Sequence, residues 1–580
     1  MGSSFTALDW SVVVAILVGT TVLGERLAGR QRSVRDFFLG GRSLPWFAVA
    51  ASIVATEISA VTYISLPSVV YRDGGNMHYL QIVLIGSLLA RLFVGYVLVP
   101  AYYEREIYSP YDYVARRLGE RARGMTTALF TLGGILGQSA RVYLTALVLE
   151  ILLAEELAIL GGWTGCAPLT CAVALIGVVA VLWTWIGGIA TVIWTDVVLF
   201  FLFIVGIAVS LWTVHNALAG VGSGLPEALV EGWRAGKFEV INTSTDLSQP
   251  YTLWVALFVA SFGQIGPYGC DQLMAQRLFC CRGPKEARKA IVASIAAVGI
   301  IAAVALVGVA LWAYYKQFPL SAASAALVLE RPDRIFPIFV MEVVGPGLKG
   351  LVIVGALAAA ISSLDSILAA LSQTTLATVY LPHRQRELAR LGMLKDEEDE
   401  AEAQRTLRVS RALVLGWGVV LCAAAVGVDR VADRYDSLLD LALAMAGYTG
   451  GALLGAFFLA FLPIRARGRG LVWSAPLSVL AVFALAWHEP WAMDVVHGGF
   501  GLMGLVWVVR SIRSGVDLRG TLALLLGFAL VECLCRYGAL PGGQSLPWPW
   551  YIPLGTLVTF LWAFFMDSGD EPAVGANQGS

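Results

Sequence analysis

The chain has 580 residues, of which 58% are hydrophobic and 14% charged, with a formal net charge of −1. A soluble domain carries about 25% charged residues, so a soluble globular protein is excluded; the net charge itself says nothing about partners, because the distribution of charge is what matters, and no nucleic-acid partner is expected. The eight cysteines and five histidines show neither metal spacing nor a disulfide framework, which argues against a zinc or haem enzyme.

Fifteen apolar runs are long enough to be spans, at roughly 20 residues per bilayer crossing. They cover approximately 7–25, 46–71, 79–103, 125–154, 166–186, 190–214, 252–276, 288–315, 350–380, 409–428, 437–463, 470–487, 494–510, 519–536 and 548–566. Helices satisfy their own backbone groups in lipid, so an all-α polytopic membrane protein is expected, with the lipid bilayer as its surroundings. The first run lacks a basic leader and a small-residue cleavage pattern, and is read as a span rather than a signal peptide. Basic residues recur in every second loop, from Arg26–Arg42 and Arg105–Arg123 through Arg277–Lys289 and Arg384–Lys395 to Arg465–Arg469 and Arg510–Arg519. One exception is the uncharged turn Trp185–Ala190. The positive-inside rule then puts the N-terminus outside and the C-terminus in the cytoplasm of a multi-pass plasma-membrane protein.

The second run, WFAVAASIVATEISAVTYISLPSVVY, holds Glu57 with Thr56, Ser59 and Thr62, then Pro67. Polar residues mid-span with a proline beyond suggest an interrupted helix whose freed carbonyls could ligate a cation; an ordinary proline kink bonded to its neighbours is the alternative. The fourth run contains Gln138 and Arg141. An arginine midway along a span needs a partner or an aqueous cavity. Arg141 either meets an anionic substrate, bidentately if that is a carboxylate, or pairs with Glu57 or another internal carboxylate, the structural role weighing slightly more. Asp196, near the cytoplasmic end of the sixth run, is either interfacial or lines an inner path. In the seventh run, SFGQIGPYGCDQLMAQRL, the residues Gly263, Gly266, Pro267 and Gly269 predict a broken helix with Gln264 near the break.

The ninth run, GLVIVGALAAAISSLDSILAALSQTT, places Ser362, Ser363, Asp365 and Ser366 near its middle. A carboxylate there costs about 2.5–3.5 kcal/mol on insertion scales and marks an ion or substrate path. Ser362 shares a helix face with Asp365 and Ser366. Their oxygens suit a hard cation such as sodium; serines bonded to the preceding turn and a locally capped Asp are the bland alternative. Farther on, Gly447, Gly450, Gly451 and Gly455 suggest close helix packing rather than chemistry. The charged segment 382–408 is expected to be a solvated helix and linker, and the polar tail Asp567–Ser580 to be disordered. No Walker A sequence, nucleophile elbow or HExxH occurs, so neither an enzyme nor ATP coupling is expected.

Six stretches in order, FFLGGRSLPW (37–46), ATEISAVTYISLP (55–67), YSPYDYVARRLGERAR (108–123), GGIATVIWTD (187–196), DQLMAQRL (271–278) with KEARKA (285–290), and GLKGLVIVGALAAAISSLDS (347–366), make the sequence similar to the sodium/solute symporter family. The resemblance implies a LeuT-type inverted five-plus-five helix repeat, here 46–214 and 252–463, joined by an extracytoplasmic loop at 215–251. An extra N-terminal span with a basic loop would occupy 1–45, and four additional C-terminal spans 464–566. It implies sodium, Na+, as coupling ion, held by backbone carbonyls of Ala55, Ile58 and Ala359 and the hydroxyls of Ser362 and Ser363. A second cation site would fall on Asp196, Asp365 and Ser366; Asp365 replaces a serine there, so a proton could stand in for sodium. On the substrate side the candidates are Glu57, Thr62, Gln138, Arg141 and Gln264. Thr62 stands where a sugar-binding glutamine is expected, and Arg141 one turn beyond the position, near Gly137, of a carboxylate-binding arginine. The expectation is a sodium-coupled symporter importing a small-molecule solute, with Arg141 tilting it toward a small anion. A proton-coupled carrier or a transport-inactive sensor on the same fold are the alternatives; solute and oligomeric state stay open.

Overall fold

The structure, a computed structural model, describes residues 5–28, 34–58, 60–104, 107, 109–390, 400–432, 438–463, 468–487, 490–514, 518–537 and 546–567. The acidic stretch 391–399 and the tail 568–580 lie outside them.

Each expected span is a helix or a pair of half-helices. Among the described residues, eleven helices are long and apolar enough to cross a membrane. The second span is a bent pair, Trp46–Glu57 and Thr62–Tyr71, meeting at 53°. The remaining three are shorter apolar helices, Val255–Cys270, Leu471–Ala486 and Gly520–Cys533. The uncharged turn after the fifth span turns out to need no loop. Helix Pro168–Ala219 runs through it and changes direction at Gly188, with φ 58° and ψ −165°. That conformation is essentially restricted to glycine.

Two compact units form. The first comprises Met1–Ser109, Gly134–Thr245 and Tyr251–Ala446. At its centre lies helix Leu348–Thr375, buried along most of its length and packed against Pro168–Ala219, Ala7–Ala28 and the broken helix. The N-terminus of this central helix exposes backbone N–H groups that no turn precedes. Asp9, from the first span, is fully buried against it. Its Oδ1 accepts the N–H groups of Gly347 at 2.7 Å and Gly350 at 2.9 Å. Its Oδ2 accepts the Thr6 hydroxyl at 2.7 Å. A carboxylate is a favoured helix cap; here the capping residue sits on a different span.

The second unit comprises Pro110–Gly133, Asp246–Pro250 and Gly447–Ser580. Its core gathers Trp473, Leu477, Ala481, Val496, Phe500, Trp507 and Val531. Trp473 and Trp507 meet edge to face at 5.0 Å, the arrangement favoured by the ring quadrupole. A Cβ on Gly451 would lie 2.6 Å from the Ile552 carbonyl oxygen, so this glycine does serve close helix packing.

Candidate ion and solute site

The break in the second span is where the first set of site groups arises. Helix Trp46–Glu57 ends at Ile58, whose φ −80° and ψ 77° leave the helical region. The Ile58 N–H still donates to the Val54 carbonyl at 2.9 Å. Carbonyls in a last helical turn lose their intrahelical donors, and Ala55 and Ile58, both fully buried, stand in that turn. The chain breaks well ahead of Pro67, which sits inside the outer half-helix Ala60–Tyr71. Ser59 lies outside the described residues, as does the side chain of Ala359.

Facing this break, the central helix presents Ser362, Ser363, Asp365 and Ser366, all essentially without solvent exposure. The Ser362 hydroxyl donates to Oδ1 of Asp196. Ser366 donates to the Ser362 carbonyl at 2.6 Å and lies 3.2 Å from Oδ1 of Asp365. Oδ2 of Asp365 is buried with no hydrogen-bond partner among the described residues. Ser366 thus makes the local bond to the preceding turn that was the alternative expectation, whereas Ser362 reaches a carboxylate on another span.

Asp196 is fully buried rather than interfacial. Ser52 donates to its Oδ2 at 2.5 Å, and Arg277 bonds the same oxygen at 3.2 Å. Counting Arg277 among the cytoplasmic loop charges is thereby corrected. It belongs to the short helix Gln272–Phe279, with both side chains of the pair fully buried. Its guanidinium also donates to Ser52 Oγ at 2.9 Å, to the Leu273 carbonyl at 2.8 Å and to Ser366 Oγ. Asp271 starts this helix, accepting the Leu273 N–H at 2.8 Å. The seventh span is thus broken as expected, but at an aspartate N-cap and not at the glycines around Gln264.

A second arginine cluster forms at the end of the half-helix Trp46–Glu57, on Glu57. Arg91, fully buried, pairs with Glu57 and donates to Ser294 Oγ at 2.9 Å. Tyr268 donates to Glu57 Oε1 at 2.7 Å and lies under the guanidinium, 4.3 Å from ring centroid to Cζ, a cation–π geometry. The expected alternative of a Glu57–Arg141 pair is replaced by this one. Arg141 makes no side-chain hydrogen bond or ion pair among the described residues, though Asp271, Tyr79 and Glu57 lie within electrostatic reach. It is partly open to solvent. Gln138, one turn earlier on the same face, is buried with Oε1 unpartnered. Thr62 is buried on the outer half-helix, and Gln264 is half-buried.

Sequence reasoning missed Arg91, Arg277, Tyr268 and Ser52. The signal for Arg91 was present, since a lone arginine inside IGSLLARLFVGY is as conspicuous as Arg141.

Residues 37–477 match the model of the sodium:solute symporter family. The chain belongs to this family. Among curated relatives, the mouse sodium-coupled monocarboxylate transporter 2 is 26% identical, over 79% of this chain and 68% of its own. The Xenopus laevis sodium-coupled monocarboxylate transporter 1 is 27% identical, over 83% of this chain and 72% of its own. A solved structure of a substrate-bound, outward-open Na+-coupled sialic acid symporter superposes with a TM-score of 0.71 at 22% identity, covering 98% of this chain and 99% of that one. The likeness shows a shared fold, the inverted five-plus-five helix repeat. This symporter is accordingly a multi-pass membrane transporter and not an enzyme; it moves a small-molecule solute with Na+ as coupling ion.

Proposed function

We propose that this symporter imports a small organic monocarboxylate with sodium by alternating access, and that Arg141 receives the carboxylate. The observation that carries this is the contrast among the deep arginines. Arg91 and Arg277 are each matched to a carboxylate, whereas Arg141 is partly exposed and has no carboxylate within ion-pair distance among the described residues. An unmatched, partly exposed guanidinium suits a bidentate anion. The names of the relatives, monocarboxylate transporters, support the same class.

Sodium as co-substrate is assigned to the carbonyls of Ala55, Ile58 and Ala359 and the hydroxyls of Ser362 and Ser363. The fit is chemical: oxygen donors alone, several neutral, converging on a helix break, suit a hard monovalent cation. The site joins the broken helix to the central helix, so ion binding favours the arrangement in which both meet. By linkage, sodium and solute then strengthen each other's binding by the same factor. Gln138, Thr62 and Gln264 would line the solute's remaining surface, while Glu57, bound to Arg91 and Tyr268, sets the charge of the wall. The loop charges support an outside N-terminus and a cytoplasmic C-terminus, with repeats at 46–214 and 252–463.

The test is uptake into proteoliposomes under an inward sodium gradient, comparing small carboxylates with their amides. Carboxylates are expected to be carried and amides refused. Equal uptake of both, or no carboxylate uptake while another solute accumulates, would overturn the assignment.

A further inference from the structure

The uncharged turn Trp185–Ala190 breaks the alternation of basic loops along the chain. In the structure a basic residue reaches it from another span. Arg411, on helix Glu400–Ala432, has its Cζ 5.2 Å from the ring centroid of Trp185. We propose that Arg411 and Trp185 form a binding site for the phosphate of an anionic phospholipid, whose acyl chains lie along the seam between helices Pro168–Ala219 and Glu400–Ala432.

The state of the guanidinium carries the inference. Arg411 is half-buried and makes no hydrogen bond or ion pair among the described residues; its Nε is enclosed without a partner. It lies about 10 Å inside the start of the apolar span Gln404–Ala432, at roughly 1.5 Å per residue. An arginine at that depth needs an anion or water. Stacking on the indole supplies part of what the charge lost on leaving water, but it leaves the donor fork unused. A phosphodiester presents two oxygens that match the fork. Arg408, one turn earlier on the same face, is exposed and also unpaired among the described residues. Beside two positive charges, the amine of a zwitterionic headgroup is repelled and an anionic headgroup is attracted.

The surface below this point suits acyl chains. The two helices touch closely along their seam. A Cβ on Gly418 would lie 2.4 Å from Val181 Cγ2, and one on Gly177 2.3 Å from Cys422 Sγ. Such small residues let backbones approach, so the seam is a shallow groove. Trp185 is 45% exposed along it; Leu182 and Leu415, each at least half exposed, form its two edges, and both are apolar. The position also matters mechanically. Helix Pro168–Ala219 changes direction at Gly188, just beyond Trp185, and continues to Asp196. On the other helix, Trp417 donates to Thr375 Oγ1 of the central helix at 3.1 Å. A lipid held at Arg411 thus braces two helices that pack against the central one.

The experiment is thermal unfolding of the purified full chain in nanodiscs of phosphatidylcholine alone and of an equimolar mixture with phosphatidylglycerol. Native mass spectrometry of the lipid retained after delipidation accompanies it. The wild type is expected to unfold at a higher temperature in the mixture, since a ligand of the native state stabilises it, and to retain phosphatidylglycerol in preference to phosphatidylcholine. Arg411→Gln is expected to weaken that retention about 10-fold. Arg288→Gln removes a guanidinium stacked on Tyr96, at 4.8 Å from Cζ to centroid, on other helices, and is expected to retain the lipid as the wild type does. Equal losses in the two variants would trace the preference to general surface charge and overturn the site. A folded Arg411→Gln with undiminished retention would place the lipid elsewhere. A wild type without lipid preference would overturn the proposal with no variant needed. Inorganic phosphate added to the phosphatidylcholine nanodiscs is expected to leave unfolding unchanged; stabilisation matching that of phosphatidylglycerol would assign the site to a free anion instead.

Discussion

The two arginine clusters flanking the broken helix differ in one respect that separates their roles. In the pair Arg277–Asp196, both side chains are fully buried. In the pair Arg91–Glu57, the arginine is fully buried but the Glu57 side chain is 15% exposed. Beyond Glu57, Arg141 is partly open and unpaired. Across the three arginines, then, charges pass from sealed and matched, to matched with one face open, to unmatched. A sealed pair resists exchange with water and stays part of the framework. An open, unmatched charge is where a solute can replace water at little cost. Under the proposed assignment, this difference separates an ion-holding framework from a solute-facing wall.

Substitutions can break or sharpen that division. The largest effect is expected for Asp196→Ala, which strands the Arg277 charge in a dry interior and costs about 3–5 kcal/mol. Thermal unfolding of the purified variant checks this; stability equal to wild type would mean the cluster is wetter than its burial indicates. Arg141→Gln comes next. It removes a charge-assisted contact and should raise the solute KM about 10–100-fold while leaving thermal stability within about 0.5 kcal/mol. A large stability loss with unchanged KM would move Arg141 from the wall into the framework. Ser363→Ala, one hydroxyl fewer around the ion, should raise the sodium concentration for half-maximal uptake by about 10-fold. Sodium activation curves in a well-expressed variant decide it. Tyr268→Phe removes the hydrogen bond to Glu57 and should cost about 1 kcal/mol in stability, less than any loss at Asp196.

The smallest effect concerns His78, outside the spans. Burial lowers its pKa from the ordinary 6.5, with nearby Glu239 acting weakly in the opposite sense. The unfolded chain then binds this proton more readily than the folded one, so stability falls as pH drops from about 6.5 toward the folded value. His78→Gln should flatten that slope slightly in unfolding curves taken across the same pH range.

How much of this was legible beforehand follows from what each feature depends on. The fifteen apolar runs depend on local hydropathy, and each is helical: twelve are of spanning length, counting the bent pair as one, and three are shorter. Ser362, Ser363 and Asp365 depend on polar residues standing out in an apolar run, which is also local. Arg277 was hidden because DQLMAQRL ends an apolar run beside the charges of KEARKA; composition there looks like a loop, and only the Asp271 N-cap shows that a new helix begins. Its partner Asp196 is 81 residues away, a separation over which no periodicity extends. Arg91 was readable as an intramembrane charge, but its choice of Glu57 over other carboxylates is a matter of tertiary packing. The interruption of the second span was readable from its mid-span polar residues, but the residue at which it occurs was not. A proline removes one donor and is tolerated within a membrane helix, whereas the actual break accompanies a turn of the backbone at Ile58.

The cap provided by Asp9 bears on how the protein is made. Its bonds to Gly347 and Gly350 join residues 338 and 341 positions apart. The first span leaves the ribosome long before the central helix exists. Until Leu348–Thr375 is inserted, the Asp9 carboxylate lacks those two donors, and the helix that carries the serine pair is capped only when it meets the first span. Assembly of the proposed ion site is therefore tied to the meeting of the earliest span with a helix from the second half of the chain. A half-length product would hold the broken helix and Asp196 but would lack both the serines and the contact that fixes the first span in place.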